Sequence, residues 1–146
     1  MSKPFIRKGY TAVSPYLIVN GAAALLDFMR NVFGAKEMIR MPTPSGSIAH
    51  ASVEIHGAVI ELADATERWK PMPTSLHIYV PDTDATFKAA LNAGATILME
   101  PADQFYGERS ASVEDAWGNQ WHIATMLIEL TNEEIAERAP KEKAAV

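Results

Sequence analysis

The tetrapeptide Ala51-Ser52-Val53-Glu54 is written again sixty residues later, as Ala111-Ser112-Val113-Glu114. An internal repeat constrains a chain strongly, because each copy must be one structural unit that stacks on another. The surroundings of the two copies agree. Ahead of the first, Tyr16-Leu17-Ile18-Val19 has the makeup of a short strand. Asn20 stands as a candidate helix N-cap, and Leu25, Phe28, Met29, Val32 and Phe33 recur at helical spacing. Gly34 supplies the left-handed residue that ends such a helix. Ahead of the second copy, His77-Ile78-Tyr79-Val80 reads as a strand and Asp82 as the cap. Phe87, Ala90 and Leu91 form the buried stripe, and Gly94 is the stop, followed by Ala95 as Gly34 is by Ala35.

The later segments correspond as well. Residues 37–41 match 96–100, 47–55 match 107–115, and 59–62 match 120–123. His56-Gly57 is a tight turn, and Ala116-Trp117-Gly118-Asn119 is its longer partner. Each half therefore reads strand, helix, strand, strand, strand: an α+β chain of two βαβββ modules. Residues 11–65 make the first module, 66–74 a connector marked by Pro71 and Pro73, and 75–126 the second module. Residues 127–146 form a C-terminal helix and tail. Thr131 to Glu134 has the spacing of a capping box, Pro140 limits the helix, and 141–146 read as a frayed end. One such module has too little core to stand alone, so the two pair within the chain or each pairs with a module of a second chain.

Composition narrows the function. With 13 Lys+Arg against 18 Asp+Glu and no basic stripe, the chain lacks the cationic footprint that nucleic acid requires. Without cysteine there is no disulfide framework and no thiolate nucleophile or metal ligand. Lys3, Arg7 and Lys8 precede no clean apolar run, and no stretch approaches the length needed to span a bilayer. A cytoplasmic protein is expected, with neither nucleic acid nor membrane as partner.

The duplicated unit resembles the glyoxalase/bleomycin resistance/dioxygenase (vicinal oxygen chelate) superfamily, and within it the PhnB-like branch. The resemblance rests on Pro15-Tyr16-Leu17-Ile18-Val19, Phe33-Gly34-Ala35, Asp82-Thr83-Asp84, Ala93-Gly94-Ala95, Tyr106-Gly107-Glu108-Arg109 and Asp115-Ala116-Trp117-Gly118-Asn119. It spans residues 11–126 as one domain. It implies modules related by a pseudo-two-fold, a curved mixed sheet around a central cup, a small-molecule ligand and a homodimer. The last turn departs from the family's Asp-Pro-x-Gly by placing Ala116 where proline stands.

The resemblance also implies where a metal would sit, one ligand near the start of each module's first strand and one on its last strand. The last-strand positions are Glu61 and His122; the first-strand positions fall on Ser14 and Ser75, whose hydroxyls are poor ligands. Tyr16 and His77 stand two residues further along on the same face. If a metal were present, Glu61, His77 and His122 would hold Zn, Ni, Mn or Fe. With serines at two ligand positions, a pocket without a metal cofactor is favoured.

The pocket residues expected are Tyr16, His77, His122, Tyr106, Arg109 and Trp117, with Glu61 as the candidate catalytic base. Tyr106 and Arg109 suit a planar, aromatic or anionic compound. Equally, Arg109 pairs with Glu108, Glu114 or Asp115 and the aromatics cap the sheet edge. Trp117 covers a pocket mouth or a dimer contact, Trp121 belongs to the core, and His50 shares its strand face with Ser52 and Glu54. The favoured function is small-molecule binding. The alternatives are a metal-dependent lyase, isomerase or dioxygenase-like enzyme working through Glu61, His77 and His122, and an interaction module without chemistry.

Overall fold

Both halves fold as the repeat requires. The computed structural model describes residues 2–141; of the tail expected to fray, 142–146 lie outside the described residues. The first half runs β1 (Tyr16–Val19), α1 (Ala22–Phe33), β2 (Lys36–Pro42), β3 (Ile48–Ile55) and β4 (Ala58–Asp64). The second runs β5 (Ser75–Tyr79), α2 (Thr83–Asn92), β6 (Thr96–Asp103), β7 (Glu108–Glu114) and β8 (Gln120–Met126), and α3 (Asn132–Arg138) follows. Each half makes its own four-stranded mixed sheet, ordered β1-β4-β3-β2 and β5-β8-β7-β6. By contacts the chain divides into two units, one holding the residues through Thr74 together with Ala116–Asn119, the other Ser75–Asp115 and the residues from Gln120 on.

In the first unit the apolar stripe of α1 (Leu25, Leu26, Met29, Val32) is buried, as are Leu17, Ala51, Val53, Ile60 and Leu62 on the strands. The period-2 pattern of a strand sends Tyr16, Glu61, Ser52 and His50 to the opposite face. In the second unit Leu76, Phe87, Ala90, Ala111, Val113, Trp121 and Ile123 are buried, while Leu91 is only half-buried. The Trp121 indole N–H donates to the buried Asp115 carboxylate at 2.9 Å, so the largest core side chain has its polar atom satisfied.

The helix starts differ from expectation in one half. Asp82 caps α2 as its sequence position suggests, accepting from the Ala85 N–H at 3.1 Å. Asn20 does not cap α1. The N-cap is Gly21, with φ +105°, and its side-chain acceptor comes from the end of β4: Asp64 Oδ1 accepts from the Gly21 and Ala22 N–H groups at 2.8 and 2.9 Å. Asp64 Oδ2 accepts from Ile48 N–H at 2.7 Å. Gly21 is required twice over, since a side chain would be strained at that φ and its Cβ would lie 3.3 Å from Trp117 Nε1.

Trp117 sits in the turn that belongs to the first unit. Its indole N–H donates to the Asn20 carbonyl at 2.9 Å, and its ring meets Phe28 edge-on. Asn119, fully buried, accepts from the Thr74 N–H at 3.0 Å. The His56-Gly57 turn has both φ values positive, the type I′ geometry that suits a two-residue hairpin. The Thr131–Glu134 capping box is complete at α3.

Candidate functional site

Backbone register assembles the first unit's polar cluster. Tyr16 on β1 pairs with Glu61 on β4, which pairs with Ser52 on β3. The Tyr16 hydroxyl lies 3.1 Å from His50 Nδ1, and His50 Nε2 lies 3.7 Å from a Glu61 carboxylate oxygen. Burial, and then the nearby charge of Glu61, raise the Tyr16 phenol above its ordinary pKa, so it remains a neutral hydrogen-bonding group.

A segment ahead of β1 lies against this cluster. Tyr10 hydrogen bonds through its hydroxyl to the fully buried Ser52 at 2.7 Å, and the Arg7 guanidinium sits 5.3 Å from the Tyr10 ring centre. Phe5, Ile6, Arg7 and Tyr10 line an open pocket of about 320 Å³ together with His50 and Glu61. A second cavity of about 540 Å³ is lined by Tyr16, Ile18, Ala49, Ala63, Trp69 and Met72, among others. Tyr16 lines the larger cavity and His50 the smaller, so their hydrogen bond marks where the two linings meet.

In the second unit, His77 and His122 are direct register partners on β5 and β8, and Ser112 pairs with His122 from β7. Both imidazole nitrogens of His122 are engaged, Nε2 with Ser75 Oγ at 2.9 Å and Nδ1 with Ser112 Oγ at 2.7 Å. The His77 ring meets Tyr79 edge-on at 4.8 Å, and the Tyr79 hydroxyl donates to Glu108. That hydrogen bond, then burial, raises the Tyr79 phenol. Ser110 Oγ is buried with no hydrogen-bond partner among the described residues.

Arg109 pairs with Asp84 through Nε (2.6 Å) and Nη2 (3.0 Å) and with Asp103 through Nη1 (2.9 Å), rather than with Glu108, Glu114 or Asp115. These hydrogen bonds raise the guanidinium further and hold Asp84 below the usual carboxylate range. Tyr106 packs edge-on against Phe105. Of the expected pocket residues, Tyr16 therefore lines a cavity in the first unit. His77 and His122 lie together in the second, Arg109 sits in an ion-pair clamp, and Trp117 is a turn anchor.

The donor set for a metal is thin. Glu61 belongs to the first unit, and His77 and His122 to the second. Among the described residues no group of three or more His, Cys, Asp or Glu is arranged to hold a metal ion. Within the second unit, Ser75, at the first-strand ligand position, and Ser112 are both hydrogen bonded to His122, and a serine hydroxyl is a poor metal ligand.

The family model of the glyoxalase/bleomycin resistance protein/dioxygenase superfamily matches residues 9–123. The chain belongs to that superfamily. A Mycobacterium tuberculosis protein, Rv0887c, is 36% identical over 135 residues, covering 85% of this chain and 79% of its own length. Among solved structures, the PhnB protein from Bacillus cereus superposes with a TM-score of 0.63 at 14% identity, covering 79% of this chain and 99% of that one. The fosfomycin resistance protein FosX from Listeria monocytogenes, solved with Mn(II) and sulfate, superposes with a TM-score of 0.63 at 18% identity, covering 88% and 96%. At those identities the likeness is one of fold. No described helix is long and apolar enough to cross a membrane.

Three contributors escape a reading of the sequence. Arg7 and Tyr10 lie in a segment the repeat does not include, and Asp64 acts on a helix that begins 42 residues earlier. The only hint in the sequence is that an aromatic and a cation stand just ahead of the first repeated strand.

Proposed function

We propose that this superfamily member binds a small molecule, aromatic or anionic, on the Tyr16–His50–Glu61 face of its first sheet, without a resident metal. One observation carries the reading: a mostly apolar cavity of about 540 Å³ and a more polar one of about 320 Å³ meet at the Tyr16–His50 hydrogen bond. These volumes fall in the range of small-ligand pockets, and an apolar lining with a few placed polar groups is their usual chemistry. A homodimer in the cytoplasm completes the proposal. The exposed apolar run Ile97, Leu98 and Met99 on edge strand β6 supports the dimer, since a long apolar edge left open invites pairing.

A ligand that binds the folded state raises its melting temperature. A screen of small aromatic acids and neutral aromatics should yield hits whose shift is at least halved in Tyr16→Ala. Hits that shift Tyr16→Ala and His50→Ala as much as the parent protein would overturn the site. The competing reading, a lyase, isomerase or dioxygenase-like enzyme whose divalent ion rests on Glu61, His77 and His122, is tested by metal analysis of untagged protein. Stoichiometric Zn, Ni, Mn or Fe that disappears in His122→Ala would replace the binding proposal; metal-free protein unchanged by added divalent ions is expected.

A further inference from the structure

The smaller pocket brings together two opposite charges, Arg7 and Glu61, that do not bond each other. Glu61 Oε1 lies 3.7 Å from His50 Nε2, beyond hydrogen-bond distance, and its carboxylate accepts no hydrogen bond from the described residues. Arg7 has no carboxylate within ion-pair distance among the described residues, and its guanidinium lies over the face of Tyr10. A guanidinium stacked on a ring keeps its N–H edge available for a bidentate acceptor. Tyr10 is in turn fixed by its hydroxyl to Ser52, so the buried β3 serine positions the stacking platform, and the platform positions the cation. Arg7 and Glu61 line the same space of about 320 Å³ without bonding each other, with Phe5 and Ile6 beside them.

Arg7 and Glu61, opposite in charge and lining one open pocket without bonding each other, suit a ligand that carries the complementary pair. We infer that the N-terminal segment completes this pocket for an amino-acid-type zwitterion, its carboxylate on Arg7, its ammonium on Glu61 and an apolar side group against Phe5 and Ile6. The inference rests on the binding reading above and narrows its ligand class. It also makes residues 5–7, which precede the family match at residue 9, the part of this chain that sets specificity.

The experiment is calorimetry on the full chain with three probes that share a phenyl group on a two-carbon chain: L-phenylalanine, 3-phenylpropionate, which lacks the ammonium, and 2-phenylethylamine, which lacks the carboxylate. L-Phenylalanine should bind at least about tenfold more tightly than either analogue, since each lost charge forfeits a charge-assisted hydrogen bond. Arg7→Gln should erase the preference over 2-phenylethylamine and leave that over 3-phenylpropionate, while Glu61→Gln should do the reverse. Tyr10→Phe removes no charge, yet should weaken L-phenylalanine severalfold by releasing the platform. Equal binding of all three probes, no binding of L-phenylalanine, or selectivity unmoved in Arg7→Gln would overturn the inference. An aromatic ligand lost in Tyr16→Ala but retained in Arg7→Gln would end it while leaving the broader binding reading intact.

Discussion

The two halves place different chemistry on the same backbone positions. Where the first has Tyr16, His50, Ser52 and Glu61, the repeat puts His77, Ser110, Ser112 and His122 in the second. In the first half the Glu61 carboxylate accepts no hydrogen bond from the described residues, and a segment from outside the repeat lines the same open pocket. In the second the imidazole is saturated by two serine hydroxyls. The helix starts diverge in the same way. Asp64 takes three backbone N–H groups, whereas its counterpart Thr125 bonds to the hydroxyl of Thr83 and to the Val80 carbonyl. Duplication preserved strand order and register, and the polar residues diverged. The first half's carboxylate faces an open pocket, while the second half's His122 is tied to Ser75 and Ser112.

The largest expected effect tests the cores. Trp121 is fully exposed to no solvent, and its N–H is satisfied by Asp115; the equivalent first-half position holds the smaller Ile60. Trp121→Ala should cost about 3–5 kcal/mol, and Ile60→Ala about 2–4 kcal/mol, by chemical denaturation. Equal or reversed costs would mean that the second core closes over the lost indole.

Next come the helix starts. Asp64→Ala leaves three N–H groups without their acceptor and should cost about 2–3 kcal/mol, against about 1 kcal/mol for Asp82→Ala. The Asp64 reading has a pH signature. Burial pushes its carboxyl up, but the N–H groups of Ile48, Ala22 and Gly21 together outweigh burial and hold it below the ordinary range. A carboxyl lowered by folding contributes its full stabilisation above the ordinary carboxylate range and loses it as pH falls through the depressed folded value. Asp64→Asn should therefore flatten the acid limb of the stability curve. An unchanged limb would show that the network does not depend on charge.

How much of this was legible follows from the distance over which each interaction acts. The second half's cap was readable because Asp82 and Ala85 are three residues apart, and the α3 capping box for the same reason. The first half's was not, because the acceptor for Gly21 and Ala22 arrives from β4, and Asn20, a good capping residue type, drew the assignment to itself. Strand faces were readable because alternation is local, which placed Tyr16, Glu61 and His122 on their faces correctly. The approach of Arg7 and Tyr10 to the Glu61 pocket was not, since nothing in a segment outside the repeat says which sheet it will lie against.

The smallest effect concerns Arg109, for which the first half has no equivalent: that position is Ala49, part of the larger cavity's wall. Arg109 joins Asp84 on α2 to Asp103 on β6, a tie between helix and sheet edge. Its geometry is bidentate, but the Asp84 and Asp103 side chains are 53% and 67% exposed, so solvent and salt screen the pairs. Arg109→Gln should lower stability only slightly, with the loss shrinking toward zero in about 1 M salt. It should leave ligand binding in the first unit unchanged, because both of the guanidinium's partners lie in the second. A loss of binding in Arg109→Gln with stability intact would restore Arg109 as a recognition residue and would mean that the two faces do not work independently.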